Sequence, residues 1–182
     1  MIDERDEYDE AILGFIENEE KWLTFENKEM IINLIKIADQ QFATQKMEGI
    51  LSAVLIYQQV LEEFLRVLLG LSNLYIQGEI WPSRIKLEVR DKMMFGQLLK
   101  EHQRTIDFDC KKELLNSCQN FSEIRNRFVH KLLKFDSEQE MFSEAKNLKQ
   151  LFHQALDYYL RSRTFLEWKL LDLKKRLGLE DS

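Results

Sequence analysis

The chain has 182 residues, of which 45% are hydrophobic, and its 12 Phe, 5 Tyr and 3 Trp argue against a disordered protein. Only 6 Gly and 1 Pro are present, and because sheet proteins need many turn residues whereas long helices need few, this composition favours an all-α fold. Two cysteines without CxxC spacing and three histidines imply neither a disulfide framework nor a metal site.

The net charge of −6 is unevenly distributed along the chain. Residues 1–83 carry 6 Lys/Arg and 16 Asp/Glu, residues 84–134 carry 12 and 7, and residues 135–182 carry 8 and 9, so the net charges are −10, +5 and −1. The basic middle segment is either a local phosphate-binding surface or the counterpart of an acidic face within the fold, and composition leaves both readings open.

Targeting signals are not evident in the sequence. No stretch reaches the roughly 18 apolar residues that a membrane span requires. The N-terminus begins Met1-Ile2-Asp3-Glu4 and lacks the basic start and apolar core of a signal peptide. We therefore expect a cytoplasmic protein that does not enter a membrane.

The N-terminal half is predicted to contain three helices. The first covers about residues 3–21, the second follows Asn27 as its N-cap, and the third and most apolar covers about 47–71. Trp81 is expected to cover an edge of the core. A connection after the third helix is predicted from three residues that interrupt helices, namely Gly70, Gly78 and Pro82.

Two further segments precede the last helix. Residues 84–104 predict short helical pieces, and about 109–133 predict one helix. Asn120 and Glu123 have capping-box spacing, which predicts a break or a restart within that helix.

The last helix is predicted over residues 138–176, opened by a capping box of Ser137 and Glu140. At 1.5 Å per residue it is about 58 Å long. Its apolar residues alternate by four and three, with one interruption at Ser162. We expect core packing before Ser162 and contact with a second subunit beyond it.

The run from Arg125 to His130 reads Arg-Asn-Arg-Phe-Val-His and has a definite chemistry. A guanidinium grips a phosphodiester with two hydrogen bonds, and an imidazole exchanges a proton near neutral pH. Asn126 and His130 are four residues apart and adjacent on a helix. Together with Arg125, they could activate an RNA 2′-hydroxyl against its own phosphate without a metal.

This string resembles the motif of the HEPN family, the higher eukaryotes and prokaryotes nucleotide-binding domains. The family pattern is an Arg, a polar residue that is often Asn, a few residues, and a His late in an all-helical chain. The segment Phe95-Gly96-Gln97-Leu98-Leu99 is also similar to that family. The resemblance covers about residues 30–160 of a chain that we expect to form a single domain over 1–182.

The resemblance implies an up-and-down helical bundle that dimerises, so that two motifs face one cleft and cleave RNA without a metal or a cofactor. Members act in toxin–antitoxin or antiphage systems, which implies an antitoxin or regulatory protein as a further partner. Carried over by position, Arg125 would bind the scissile phosphate, Asn126 would position it, and His130 would be the general acid or base.

Three basic residues near the motif are expected to contact the RNA backbone, although a solvated helix face explains them as well. They are Arg127, Lys131 and Lys134. An alternative function is a non-catalytic interaction or regulatory module. Helical proteins of the mannitol-operon repressor type have a similar Arg-Asn…His string, and Arg125 and His130 would then stabilise a dimer. Nucleotide binding has no support, because no phosphate-cradling Gly-rich loop is present.

Overall fold

The computed structural model of the chain describes residues 4–22, 28–83, 85, 87, 89 and 93–179, the first six of them as backbone. These residues form six α-helices and two short 3-10 helices, with no strand among them. The α-helices are α1 (Glu4–Glu17), α2 (Lys28–Ala43), α3 (Met47–Glu79), α4 (Phe95–Arg104), α5 (Lys111–Lys131) and α6 (Glu138–Arg176). The predicted all-α helical class is confirmed, as is the long C-terminal helix.

The chain folds into two compact units, and α3 and α6 contribute to both. The first unit comprises residues 1–24, 65–109 and 161–182, and the second comprises 25–64 and 110–160. That residues 1–182 form one domain stays a prediction.

The core of the second unit is an aromatic stack between α3 and α6. The rings of Tyr57 and Phe152 lie 4.3 Å apart, and those of Phe64 and Tyr159 lie 4.1 Å apart, both pairs stacked. All four side chains are buried. The partners follow the same order on both helices, so α3 and α6 run parallel within this unit.

The first unit is held by close helix contact and by polar side chains bonded to backbone. A Cβ added at Gly78 would lie 2.5 Å from a Leu173 methyl carbon and 2.7 Å from one of Ile16, so this glycine lets both approach α3. The buried His102 ring lies with Nε2 2.8 Å from the Leu65 carbonyl oxygen. Trp22 Nε1 donates to the Ile16 carbonyl at 3.3 Å.

Helix α6 begins and ends as the sequence predicts. The backbone N–H of Glu140 donates to Ser137 Oγ at 3.2 Å, as in a capping box. The Glu140 carboxylate accepts from the Asp136 N–H at 3.0 Å instead of from Ser137. The pattern is interrupted at Ser162 because its buried hydroxyl donates to the Asp109 carbonyl at 2.7 Å.

The expectation that the apolar seam of α6 contacts a second subunit beyond Ser162 is wrong. Leu166, Leu170 and Leu173 are each at most 2% exposed within the chain itself. Gly78 lies opposite Leu173, so α3 already covers this part of the seam.

The connection predicted after residue 71 begins later than expected. Gly70 and Gly78 lie within α3, which continues to Glu79. Trp81 is 39% exposed and does not cover the core.

Helix α5 runs without a break through Asn120 and Glu123, so the predicted break is absent there. The expected N-cap at Asn27 lies outside the described residues.

None of the helices described here combines the length and the apolar character needed to cross a membrane.

Gly49 gives a test of this packing. A Cβ at Gly49 would lie 2.4 Å from both the Gln41 carbonyl oxygen and Thr44 Oγ1 at the end of α2. We expect Gly49→Ala to lower the free energy of unfolding by about 1–3 kcal/mol, because backbone must shift to admit the methyl group. The control Gly14→Ala on α1 meets nothing within 4 Å, and should be neutral or up to about 1 kcal/mol more stable. Urea unfolding measures the free energy of unfolding of both variants. Equal values would contradict the close contact of Gly49 with the end of α2.

Candidate functional site

Helix α5 carries the Arg125–His130 run, and one side of α5 is buried. The buried side chains recur at three- and four-residue intervals, as expected for a helix packed on one face. They are Lys111, Leu114, Ser117, Cys118, Phe121 and Phe128. Arg125 lies four residues after Phe121 and three before Phe128, so it occupies a position on the same buried face.

Arg125 is therefore a charged residue at a core position, and it is half-buried. Its Nε atom is buried and has no hydrogen-bond acceptor among the described residues. Its Nη1 atom donates to Oδ1 of the exposed Asn126 at 3.0 Å. A buried donor without an acceptor is unfavourable. The guanidinium thus lies at the boundary between core and solvent, with one edge held by Asn126.

His130 lies on a different side of α5 from Arg125. Successive residues advance about 100° around a helix, so His130 lies about 140° from Arg125 and about 40° from Asn126. His130 is exposed, and within the described part of the chain no hydrogen bond joins it to another residue. The structure joins Arg125 to Asn126. It places His130 one helical turn from Asn126 without a hydrogen bond to it, and on a different side of α5 from Arg125.

The three basic residues near the motif differ in their surroundings. Arg127 and Lys134 are exposed. Lys131 Nζ lies 2.8 Å from Oε1 of Glu144 on α6. Such a half-exposed ion pair contributes little to stability, but it occupies the ammonium group that was expected to contact RNA.

Apolar side chains are exposed beside the motif. Leu133, in the 3-10 turn Leu132–Lys134, is fully exposed, and Val129 is 40% exposed. Val129 and Leu133 are four residues apart and flank His130 on the solvent side. Cys118 supplies no nucleophile to this surface, because burial raises the pKa of its thiol to about 12.

A second polar cluster lies in the same unit and was missed from the sequence. Asp39 Oδ1 accepts from the Tyr57 hydroxyl at 2.7 Å, and it lies 2.8 Å from Lys149 Nζ and 3.1 Å from His153 Nε2. Lys149 and His153 are four residues apart on α6. Only that spacing is visible in the sequence, because nothing local links them to Asp39 on α2.

This cluster changes the pKa values of two of its members. Burial raises the pKa of the Asp39 carboxyl, but hydrogen bonds from Lys149, Tyr57 and His153 together hold it below its ordinary value. Burial, and then the Asp39 carboxylate, raise the pKa of the Tyr57 hydroxyl. Asp39 is therefore ionised and Tyr57 neutral at pH 7, and the cluster ties α2, α3 and α6 together.

Comparisons with known proteins give no relative for this chain: no protein-family model, no curated protein and no solved structure matches it.

The position of Arg125 predicts different stabilities for two replacements. Arg125→Met keeps an apolar stem in the buried stripe and removes the unsatisfied Nε, so its free energy of unfolding should equal or exceed that of the wild type. Arg125→Ala also removes the stem and should be about 1–2 kcal/mol less stable than Arg125→Met. Urea unfolding measures both. A Met variant as unstable as the Ala variant would show that the fold needs the charge itself.

The Asp39 cluster predicts a pH dependence of stability. The pKa of Asp39 is lower in the folded chain than its ordinary value of 3.8, so its stabilisation is complete above that pH and is lost as the pH falls through the lowered pKa. We expect the stability difference between wild type and Asp39→Asn to be constant near neutral pH and to shrink below it. A difference that grows on acidification would contradict the assignment.

Proposed function

We propose that the chain is a metal-independent endoribonuclease of the HEPN kind that acts as a homodimer on RNA. The observation that carries the proposal is the state of the motif on α5. Asn126 holds the Arg125 guanidinium at 3.0 Å, and His130 is exposed and engaged in no hydrogen bond to any described residue. A histidine that stabilised the fold would be expected to have a partner, whereas a general acid or base must be open to substrate.

The orientation of these residues supports a site built from two copies. Arg125 and His130 are about 140° apart on one helix, so a second copy that supplies its own His130 would complete the pair more readily than the same chain. Leu133 and Val129 offer an exposed apolar contact beside His130. In this arrangement each cleft combines Arg125 of one protomer with His130 of the other.

The chemistry would proceed as an internal transfer. The 2′-oxygen of the ribose forms a bond to the adjacent phosphorus, and the bond from phosphorus to the 5′-oxygen of the next nucleotide breaks. His130 takes the proton from the 2′-hydroxyl while water protonates the departing oxygen, or it protonates the departing oxygen while water takes the proton of the 2′-hydroxyl. Arg125 balances the negative charge that develops on the phosphate. Arg127 and Lys134 would contact the flanking backbone, and Lys131 would do so after leaving Glu144.

A partner that restrains the activity is part of the proposal. A chain that cleaves cellular RNA requires control, and the HEPN resemblance points to an antitoxin or regulatory protein. The exposed motif surface is the part of the chain that such a protein would have to cover.

A second candidate function is a non-catalytic interaction or regulatory module. It is favoured by the place of Arg125 in the buried stripe of α5 and by the exposed Val129 and Leu133. In this case the α5 surface would bind a second copy or another protein, and His130 would contribute to that contact without transferring a proton.

Cleavage of RNA by the purified protein in EDTA tests the first candidate. We expect His130→Ala to lower the cleavage rate by about 10²- to 10⁴-fold, the usual contribution of a general acid or base. Because His130 is exposed, its loss should leave the thermal unfolding curve unchanged.

The matched control is Lys112→Ala, which removes an exposed cation from the other end of α5 and should keep the wild-type rate. If wild type and His130→Ala are equally inert on diverse RNAs, or equally active, cleavage by this motif is wrong. An unchanged oligomeric state in Val129→Ser/Leu133→Ser would contradict a dimer contact through these two residues.

A further inference from the structure

A solvent-facing tryptophan lies on the C-terminal half of α6. Trp168 is 72% exposed, and between residues 161 and 179 it is the only large apolar side chain that is mostly exposed. It lies about 160° around the helix from both Leu166 and Leu170, which are buried. The indole therefore faces away from the core of the first unit and has no packing role there.

This half of α6 is also strongly basic, although residues 135–182 as a whole have a net charge of −1. Residues 161–176 carry six Lys/Arg and two Asp/Glu, whereas residues 138–160 carry two and four. Both acidic residues of the basic half are paired with cations on the same helix. Glu167 lies 2.7 Å from Arg163, and Asp172 lies 3.0 Å from Arg176. Lys174 is paired with Glu19 at 3.2 Å, and Arg176 is also paired with Glu79. The sequence charge of this half of α6 is positive.

The helical positions place cations on both sides of the indole. Arg161 and Lys175 are each seven residues from Trp168, on the same face and about 10.5 Å away along the helix axis. Both are exposed. Lys169 follows Trp168 directly, and its Nζ lies 5.7 Å from the centre of the Phe165 ring.

We propose that this face of α6 binds single-stranded nucleic acid, with a base stacked on Trp168 and phosphates contacted by the flanking cations. An exposed aromatic side chain with basic groups along the same face is a combination that sequence-tolerant binding of single strands uses. The choice of RNA as the ligand rests on the proposed function, but the site lies outside the motif of α5 and requires no cleavage.

The surroundings of Trp168 favour nucleic acid over a protein partner. The centre of a protein interface is depleted in charged residues and combines several apolar side chains. Trp168 is instead a single exposed aromatic residue between Arg161 and Lys175. A phosphate backbone carries the negative charge that complements this stripe, and every base offers a face to the indole.

Fluorescence anisotropy of a labelled 2′-O-methyl oligouridylate of about 12 nucleotides tests the site. This probe has no 2′-hydroxyl and is not cleaved, so its binding is measured independently of the proposed ribonuclease activity. We expect Trp168→Ala to raise the Kd by about 5- to 150-fold, and Trp168→Phe to keep most of the affinity. Trp81→Ala removes an exposed tryptophan outside α6 and should leave the Kd unchanged. The wild-type Kd should rise with salt concentration.

An unchanged Kd in Trp168→Ala would overturn the proposal, as would a wild type that does not bind the probe. A third contrary result is a change of oligomeric state in Trp168→Ala, measured by sedimentation, together with an unchanged Kd, since Trp168 would then contact protein. If wild type binds the probe through Trp168 but cleaves no RNA, the proposed ribonuclease activity fails while this site stands.

Discussion

The stacking of aromatic rings between α3 and α6 is the constraint on which the second unit depends. Phe64 stacks on Tyr159 and Tyr57 on Phe152, with ring centres 4.1 and 4.3 Å apart. Large aromatic pairs bury much surface and allow few relative positions, so they fix the pairing of the two helices. The Tyr57 hydroxyl extends this order to α2, because it donates to Asp39 at 2.7 Å. The same packed unit contains α5 and therefore positions the motif.

Within that unit, Arg125 is the residue whose placement is hardest to explain by stability alone. Its position between Phe121 and Phe128 on the buried face would suit an apolar side chain. Its Nε is buried without an acceptor in the part of the chain that the structure describes, and such a donor opposes folding. Natural sequences keep such local conflicts mainly at functional sites. The conflict at Arg125 thus supports the proposed role of its guanidinium in binding an anion, and the exposed His130 is the proposed proton-transfer group.

The sequence predicts a structural feature well when residues close together in the chain determine it. Helix α6 is predicted with its observed bounds, because Ser137 is a cap and the apolar alternation is regular. The sequence wrongly predicts a helix end at Gly78. Gly78 instead leaves room for Leu173, which is distant in sequence.

The same distinction applies to the candidate site. The spacing of Arg125 from Phe121 and Phe128 is visible in the sequence, but only the structure shows that these phenylalanines are buried and that Arg125 lies on their side of α5. The Lys131–Glu144 pair and the Asp39 cluster join residues on different helices and leave no local pattern. The exposure of Trp168 is known only from the structure. The basic character of the surrounding sequence is hidden when charge is summed over residues 135–182.

The central claim is that Arg125 and His130 act together across two copies of the chain. The most direct test mixes Arg125→Met with His130→Ala, each inactive alone, after unfolding and refolding them together so that mixed dimers form. A mixed dimer then contains one cleft with both an intact Arg125 and an intact His130, and an equal mixture should recover roughly a quarter of the wild-type cleavage rate. A mixture that forms mixed dimers and stays as inactive as its components would contradict the claim.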